Sequence, residues 1–156
     1  MKTKKSAIAE NPFVPKLYKV LDFYRDAEDM FTLTINMKTE HQPGQFVQVS
    51  LPGTGEAPIS IGSDSKEHIK LSIKEVGNVT RALSRLRKND KILIRGPYGK
   101  GYPMESLKGN SIIIVGGGCG VAPLRSVIDY IENHRAEYKD VQLFFGYRAP
   151  NEILFK

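Results

Sequence analysis

The sequence predicts an antiparallel six-stranded β-barrel with one helix, followed by the first βαβ unit of an α/β domain. Three observations predict this arrangement. Between Lys16 and about Arg95, short runs rich in β-branched and aromatic residues are separated by turn residues. A segment rich in glycine and proline, 96–110, ends this pattern. Beyond it, an amphipathic helical pattern stands between two apolar runs, which is the order of a parallel strand–helix–strand unit.

Six runs supply the predicted barrel strands, and several alternate apolar and polar residues with a period of two. The runs are KLYKVLDFYR, MFTLTINMKT, QFVQVSLP, PISIGS, IKLSIKEV and DKILIRG. Within this series NVTRALSRLRK predicts one helix, because Val79, Leu83 and Leu86 fall on one stripe and Asn78 suits its N-cap. Short strands at this spacing indicate an antiparallel barrel.

The second unit begins with SIIIV (111–115), which predicts a buried strand. VAPLRSVIDYIENHRAEY predicts an amphipathic helix, and VQLFFGYR predicts a second parallel strand. The inward stripe of the helix is formed by Leu124, Val127, Ile128 and Ile131. We expect the last residues, NEILFK, to begin the next helix.

These patterns divide the chain into a flexible basic tail (1–12), a barrel (13–106) and a partial α/β domain (107–156). We expect the last domain to be partial because two parallel strands leave an open edge and an uncovered helix face. A truncated chain explains this, and so does pairing with a second copy. A homodimer would use the incomplete second domain as its interface.

The composition is that of an ordinary globular protein, with 40% hydrophobic and 26% charged residues. No apolar run approaches the roughly 20 residues that cross a bilayer, so we expect a cytoplasmic protein without a membrane span. The single cysteine, Cys119, excludes an internal disulfide and a multi-cysteine metal site, and the three isolated histidines suggest no metal site. The net charge of +6 is that of a solvated basic face; without a nucleic-acid module it does not indicate nucleic-acid binding.

Glycine fills four of the six positions in VGGGCG (115–120), between a predicted strand and a predicted helix. Backbone N–H groups at a helix start bind anions, and glycine lets a pyrophosphate approach the main chain. Pro123, in the first helical turn, suits this position. The candidate dinucleotide-binding residues are Gly116, Gly117, Gly118, Cys119, Gly120 and Pro123. A tight strand-to-helix turn is the alternative, since the pattern is not the common G-x-G-x-x-G.

Five motifs occur in the order and spacing of one family: PGQFVQV, APISIGS, VGNVTRAL, GPYG and GGGCGVAPLRS. On these motifs the chain resembles the ferredoxin–NADP reductase superfamily. It is most similar to the branch of hydrogenase gamma subunits, anaerobic sulfite reductase B subunits and dihydroorotate dehydrogenase electron-transfer subunits. The resemblance implies a flavin-binding barrel and a nicotinamide-dinucleotide domain, with FAD (FMN in some branches) moving electrons between NAD(P)H and a one-electron carrier.

The resemblance assigns the flavin ring to the strand of the APISIGS motif. Pro58, Ile59, Ser60 and Ile61 match the segment beside the ring. Ser60 is the candidate catalytic residue, because its hydroxyl would hydrogen-bond near the reactive ring nitrogen. An ordinary strand is the alternative explanation of these residues.

The resemblance assigns the flavin phosphates to Gly77, Val79 and Thr80, where backbone donors and the Thr80 hydroxyl would bind them. A plain helix cap is the alternative. Many family members carry arginine at the position of Ala57, where it pairs with the phosphates. The hydrogenase-type branch resembles this chain in lacking that arginine. Lys74 or Arg81 would then supply the charge.

For four further side chains the sequence allows two interpretations each. Tyr98 and Tyr102 either line the nucleotide cleft or pack at the joint between domains. Arg148 either reaches the nucleotide or is a solvated loop residue. Cys119 lies in the dinucleotide loop, as a small space-filler or as a thiolate favoured by the helix start.

Family members continue for roughly another hundred residues, and some carry a C-terminal [2Fe–2S] cysteine cluster that this chain lacks. The expected function is therefore that of a flavin-dependent electron-transfer subunit, or a fragment of one. Its partner would be an iron–sulfur subunit of the hydrogenase or sulfite reductase type. The alternative is a non-catalytic module that binds flavin or nucleotide, or docks in a complex, and cannot turn over.

Overall fold

A computed structural model describes residues 11–155, so most of the predicted basic tail lies outside the described residues. Six antiparallel strands form the first sheet, in the order β4-β3-β6-β1-β2-β5. Their bounds are β1 Lys16–Ala27, β2 Met30–Ile35, β3 Phe46–Leu51, β4 Gly55–Ser60, β5 Ile69–Lys74 and β6 Lys91–Tyr98. The predicted six-stranded barrel is thus confirmed.

Alternation along the strands builds the barrel core. In β5 the side chains of Ile69, Leu71 and Ile73 are buried, whereas the residues between them are not. Strand β2 pairs with β5 in a continuous register from Met30 opposite Lys74 to Ile35 opposite Ile69. One cluster of fully buried aliphatic and aromatic side chains therefore fills the barrel.

The barrel helix, α1, spans Asn78–Leu83, and its N-cap is Gly77 rather than the expected Asn78. Gly77 has extended backbone and its amide donates to the Thr80 hydroxyl, so the helix starts at Asn78, one residue earlier than expected. The helix is also shorter than the predicted run. From Arg85 the backbone amides bond to carbonyls three residues back, which ends the α-helical pattern.

The glycine- and proline-rich segment 96–110, the connector between the two units, contains a short helix, α2 Met104–Leu107, that its composition did not predict. After it come β7 Ile112–Gly117, α3 Val121–Asn133 and β8 Val141–Gly146. Strands β7 and β8 are parallel, in register from Ile112 opposite Val141 to Gly117 opposite Gly146. The predicted βαβ unit is confirmed.

The inward stripe of α3 packs as predicted. Val127 and Ile131 are buried in a cluster with Ile114, and Leu124 and Ile128 pack against it. The expected helix at the end of the chain is replaced by a single 3₁₀ turn, Pro150–Glu152. Leu154 then inserts against Met30, Val121 and Ala122, and this burial holds the segment against the barrel.

The face of the β7–β8 sheet opposite α3 is open among the described residues. Ile113, Val115 and Phe144 are 65%, 70% and 55% exposed on it. Parallel sheets are ordinarily covered on both faces, so this apolar surface is unusual for its type. No helix within residues 11–155 has both the length and the apolar character needed to cross a membrane.

Candidate functional site

The predicted flavin strand forms one edge of the first sheet. In β4, Ile59 lies opposite Val47 and Ser60 lies opposite Phe46, and both Ile59 and Ser60 are half-buried. Pro58 is exposed. The side chain of Ile61 is fully buried in the barrel core, and its amide donates to the Gln45 carbonyl at 3.0 Å. Pro58, Ile59 and Ser60 are therefore the accessible part of the segment.

The predicted phosphate-binding residues lie at the start of α1, beside β4. An added Cβ at Gly55 of β4 would be 3.3 Å from Val79 Cγ2. The Thr80 hydroxyl accepts hydrogen bonds from the amides of Val76 and Gly77, both at 3.0 Å, and donates to the Gly77 carbonyl at 3.1 Å. Thr80 thus shapes the loop, while the first amides of α1 have no acceptor within the helix.

Lys74, at the end of β5, lies on the wall of a cavity shared with the second unit. Its Nζ is 3.1 Å from Asp29 Oδ2. The next residue, Glu75, pairs with Arg25, and the hydrogen bond from Arg25 lowers the pKa of the Glu75 carboxyl. Arg81, the other candidate for the missing arginine, is exposed on α1.

The glycines of the loop after β7 serve different purposes. A Cβ at Gly116 would lie 2.7 Å from Leu124 Cδ1 and 3.2 Å from Val121 Cγ2, so the close packing of β7 on α3 requires a glycine there. Gly118 has φ +51°, a backbone conformation that favours glycine. Around Gly118 and Gly120 no atom lies within 4 Å of an added Cβ, so these two positions face open space.

The open space beside Gly118 belongs to a cavity of about 540 Å³, here called the glycine-loop cavity, whose lining includes Gly118 but not Gly120. It lies at the carboxyl ends of the two parallel strands, where open α/β sheets bind ligands. Its walls come from both units. Its lining includes Asp29, Met30, Lys74, Gly117, Gly118, Cys119, Tyr147 and Arg148.

The chain just after the predicted flavin strand contacts the helix that follows the glycine-rich loop. Gly62, two residues beyond β4, packs so closely on the first turn of α3 that an added Cβ would be 3.3 Å from the Ala122 carbonyl. This contact lies at the joint between the two units. Pro123, in the same helical turn, is half-buried.

The four side chains for which the sequence left two interpretations open lie in two different places. Cys119, which is exposed, and Arg148, paired with Glu152 at 3.1 Å, both line the glycine-loop cavity. Tyr98 instead stacks with Phe13, and its hydroxyl donates to the Pro12 carbonyl at 2.6 Å. Tyr102, in the segment after β6, lies against Gly44 of the β2–β3 loop. Neither tyrosine lines the glycine-loop cavity.

Sequence reasoning did not find Asp29, Met30 and Tyr147. Asp29 and Met30 stand at the turn between β1 and β2, where no motif signals a site. The Tyr147 hydroxyl is buried and has no hydrogen-bond partner among the described atoms. Within residues 11–155 no group of three or more His, Cys, Asp or Glu side chains is placed to hold a metal ion.

Two family models match the chain. Residues 24–102, about half of it, match the model described as the oxidoreductase FAD-binding domain. The chain belongs to this FAD-binding family. Residues 114–156 match the model described as the oxidoreductase NAD-binding domain. The FAD-binding barrel is therefore followed by residues that match an NAD-binding domain, as the five motifs predicted.

Curated relatives agree with the assignment to the FAD-binding family. The chain is 38% identical over 142 residues to sulfhydrogenase 2 subunit gamma of Pyrococcus furiosus, covering 90% of this chain and 46% of that protein. It is 32% identical to a probable dihydroorotate dehydrogenase B (NAD(+)) electron transfer subunit of Thermococcus kodakarensis, covering 81% and 50%. The chain thus spans about half the length of these relatives.

Solved structures share the fold of the FAD-binding barrel and its neighbour. An NADH-dependent reduced ferredoxin–NADP oxidoreductase, described for flavin-based electron bifurcation, matches with TM-score 0.77 and 25% identity, covering 90% of this chain and 52% of that one. A ferredoxin–NADP⁺ reductase from Plasmodium falciparum matches with TM-score 0.78 and 19% identity, covering 90% and 62%. The predicted superfamily is confirmed.

The residues present fit a flavin and a dinucleotide. The first amides of α1 are donors without an intrahelical acceptor, as a phosphate site requires. Gly118 and Gly120 leave room for a ligand at the start of α3, a helix of 13 residues. Tyr147 adds to the same cavity a buried hydroxyl that has no hydrogen-bond partner among residues 11–155.

Proposed function

We propose that this chain is the FAD-dependent electron-transfer part of an oxidoreductase, passing electrons between NAD(P)H and an iron–sulfur partner subunit. The observation that carries the proposal is the cavity of about 540 Å³ in which the FAD-binding barrel and the glycine loop share walls. Lys74, a candidate for the charge beside the flavin phosphates, lines this cavity together with Gly117 and Gly118 of the loop after β7, so in this proposal the two cofactors meet there. Bound FAD would supply the conversion of a hydride into two single-electron transfers.

In this proposal Pro58, Ile59 and Ser60 hold the flavin ring along β4. Ser60 is half-buried, so its hydroxyl can serve a ring nitrogen without full exposure to water. The backbones of Gly77, Val79 and Thr80 bind the flavin phosphates, with the Thr80 hydroxyl fixing the loop from inside. The family model named for FAD supports FAD over FMN.

We propose that Gly117, Gly118, Cys119 and Gly120 hold the pyridine nucleotide, with Gly116 and Pro123 shaping the turn. Lys74 faces this loop from the barrel, and its ion pair with Asp29 keeps the ammonium at the cavity wall. We therefore expect the Lys74 ammonium to contact an anionic group where the two cofactors meet. A charge there favours anionic groups of either ligand.

The partner in this proposal is an iron–sulfur subunit of the hydrogenase or sulfite reductase type, in the cytoplasm. The gamma subunit of a sulfhydrogenase and an electron transfer subunit of dihydroorotate dehydrogenase, both by name subunits of larger enzymes, support a multi-subunit setting. The apolar face formed by Ile113, Val115 and Phe144 is our candidate contact surface, for the partner or for a second copy of this chain. Sedimentation of the purified chain separates monomer from homodimer.

A second candidate function is a non-catalytic module that binds FAD or nucleotide and docks in a complex. The same uncovered face of the β7–β8 sheet favours it, because such a surface needs a covering partner. The two functions differ in turnover. The module binds ligands but does not reduce its flavin with NAD(P)H.

The test is anaerobic mixing of the FAD-loaded chain with NADH or NADPH while the flavin absorbance is recorded. Bleaching supports electron transfer, and bound FAD that stays oxidised supports the module. Gly118→Ala has a matched control in Gly109→Ala, since both glycines have positive φ (+51° and +76°) and open space around an added Cβ. Only Gly118 lines the glycine-loop cavity, so only Gly118→Ala should raise the nucleotide concentration needed for bleaching.

A further inference from the structure

A separate cavity of about 360 Å³ lies where the connector passes between the barrel and the second unit. We call it the hinge pocket, and define it by Pro43, Lys100, Tyr102, Met104, Glu105 and Tyr130. Its volume falls in the range of small-molecule sites, and it shares no lining residue with the glycine-loop cavity. None of the residues proposed for flavin or nucleotide lies in it.

The walls of the hinge pocket are held by hydrogen bonds. The Tyr102 amide donates to the Pro43 carbonyl at 2.8 Å, which ties the connector to the barrel. The Tyr130 hydroxyl of α3 donates to Glu105 Oε1 at 3.0 Å, which ties α2 to the second unit. The Tyr138 hydroxyl donates to the Met104 carbonyl at 3.1 Å. The pocket is therefore formed before any ligand arrives.

The apolar part of the pocket suits a flat ring. Tyr102 and Tyr130 present aromatic surface, and Pro43 and Met104 present aliphatic surface. Tyr102 remains 45% exposed, so part of its ring is available for contact. Aromatic side chains of this kind favour stacked or edge-on contact with a planar ligand.

The charged residues that line the hinge pocket favour an anionic ligand. Glu105 Oε2 is 2.7 Å from Lys108 Nζ, and hydrogen bonds from Lys108 and Tyr130 lower the pKa of its carboxyl, so this carboxylate is already paired. His41 Nε2 lies 2.8 Å from the Ser63 carbonyl. Lys100 is exposed and, within the described part of the chain, has no carboxylate partner. Its ammonium is left to attract an anion.

We propose that the hinge pocket binds a small planar aromatic anion, with the ring between Tyr102 and Tyr130 and the anionic group toward Lys100. The pocket joins the β2–β3 loop of the barrel and Glu105 of α2 to Tyr130 of the second unit. Occupancy would therefore hold the two units together at a place that shares no lining residue with the glycine-loop cavity. The proposal does not depend on the proposed redox function.

The test is calorimetric titration of the full chain with 2-naphthoate, using the uncharged 2-naphthamide as the matched ligand. Lys100→Gln should weaken 2-naphthoate binding about fivefold, as for a partly exposed ion pair, and should leave 2-naphthamide unchanged. Lys139→Gln is the matched control, since Lys139 is exposed and lies outside the pocket. Tyr102→Ala should weaken both ligands, provided that far-UV circular dichroism shows an unchanged fold.

Saturable one-to-one binding of 2-naphthoate with this pattern, unaffected by saturating NADH, is the expected result. Absence of saturable binding overturns the proposal, as does equal binding of the amide or an equal loss in Lys139→Gln. Competition by NADH would place the probe in the glycine-loop cavity and also overturns it. Protection of residues 41–43 and 100–106 in hydrogen exchange gives a second readout, and its absence counts against the site.

Discussion

Replacing Gly116 by alanine separates packing from ligand binding in the glycine loop. The new Cβ would lie 2.7 Å from Leu124 Cδ1 and 3.2 Å from Val121 Cγ2, both closer than ordinary van der Waals contact. Leu124 is half-buried and can turn its methyl group away, whereas Val121 is 1% exposed and β-branched. We expect a loss of about 1–3 kcal/mol in the free energy of unfolding, as for other overpacked sites.

Gly117→Ala is the matched comparison for this experiment. It stands next in the chain, has extended backbone with φ −141°, and its Cβ would meet only the Gly146 carbonyl at 3.7 Å. We expect it to change stability by less than about 0.5 kcal/mol, since relief of backbone freedom in the unfolded chain offsets any loss. Gly117 lines the glycine-loop cavity, so the same variant should weaken NAD(P)H binding.

Urea unfolding followed by far-UV circular dichroism measures the stability difference. Isothermal titration with NADH, on the same samples, measures the binding difference. Gly116→Ala as stable as the parent chain, or Gly117→Ala as destabilised as Gly116→Ala, would refute the division of roles argued from the added Cβ positions. An unchanged NADH affinity in Gly117→Ala would refute the assignment of this cavity to the nucleotide.

Three further predictions concern the barrel. Thr80→Val leaves the amides of Val76 and Gly77 without their acceptor and should cost about 1–3 kcal/mol, while Thr80→Ser should retain most of the stability in the same urea assay. Glu56→Gln should lose a small amount of stability at pH 7, because the hydrogen bond from Arg95 lowers the pKa of the Glu56 carboxyl in the fold. The stabilisation from this carboxylate is present above its unfolded pKa and disappears as the pH falls through its folded pKa. A loss of stability at pH 3 equal to the loss at pH 7 contradicts this. Burial raises the pKa of the Asp26 carboxyl, although the hydrogen bond from Thr32 opposes this shift, so ionising Asp26 in the fold is unfavourable. Asp26→Asn should therefore match the parent chain in melting temperature at low pH and equal or exceed it at pH 7. A lower melting temperature of the variant at pH 7 alone contradicts this.

Much of the fold was predictable because it depends on local patterns. Period-two alternation identified β2, β3 and β5, and the apolar stripe identified α3. The end of α1 and the existence of α2 were not predictable in the same way. Tertiary hydrogen bonds decide them: the Thr80 hydroxyl sets the α1 start, and the contacts of Glu105 and Met104 with tyrosines hold α2.

The sequence motifs predicted which segments belong to the candidate site, but not how those segments come together in space. The sequence does not distinguish the four glycines of this loop. In the structure Gly116 has a packing role, whereas Gly118 and Gly120 face open space. The sequence suggested Lys74 as a substitute for a phosphate-binding arginine, but could not bring it to Asp29 or to the loop after β7. Such long-range neighbours depend on how the two units pack, which no short motif records.

Addition of FAD to the purified chain tests the central claim most directly. After removal of free flavin by gel filtration, the visible absorbance of the protein peak gives the FAD bound per chain, and heat release identifies the compound. We predict one FAD per chain, lost or markedly weakened in Thr80→Val and kept in Thr80→Ser. A colourless protein that takes up no FAD would contradict the account, because the strand of Ser60 and the loop before α1 would then form no flavin site.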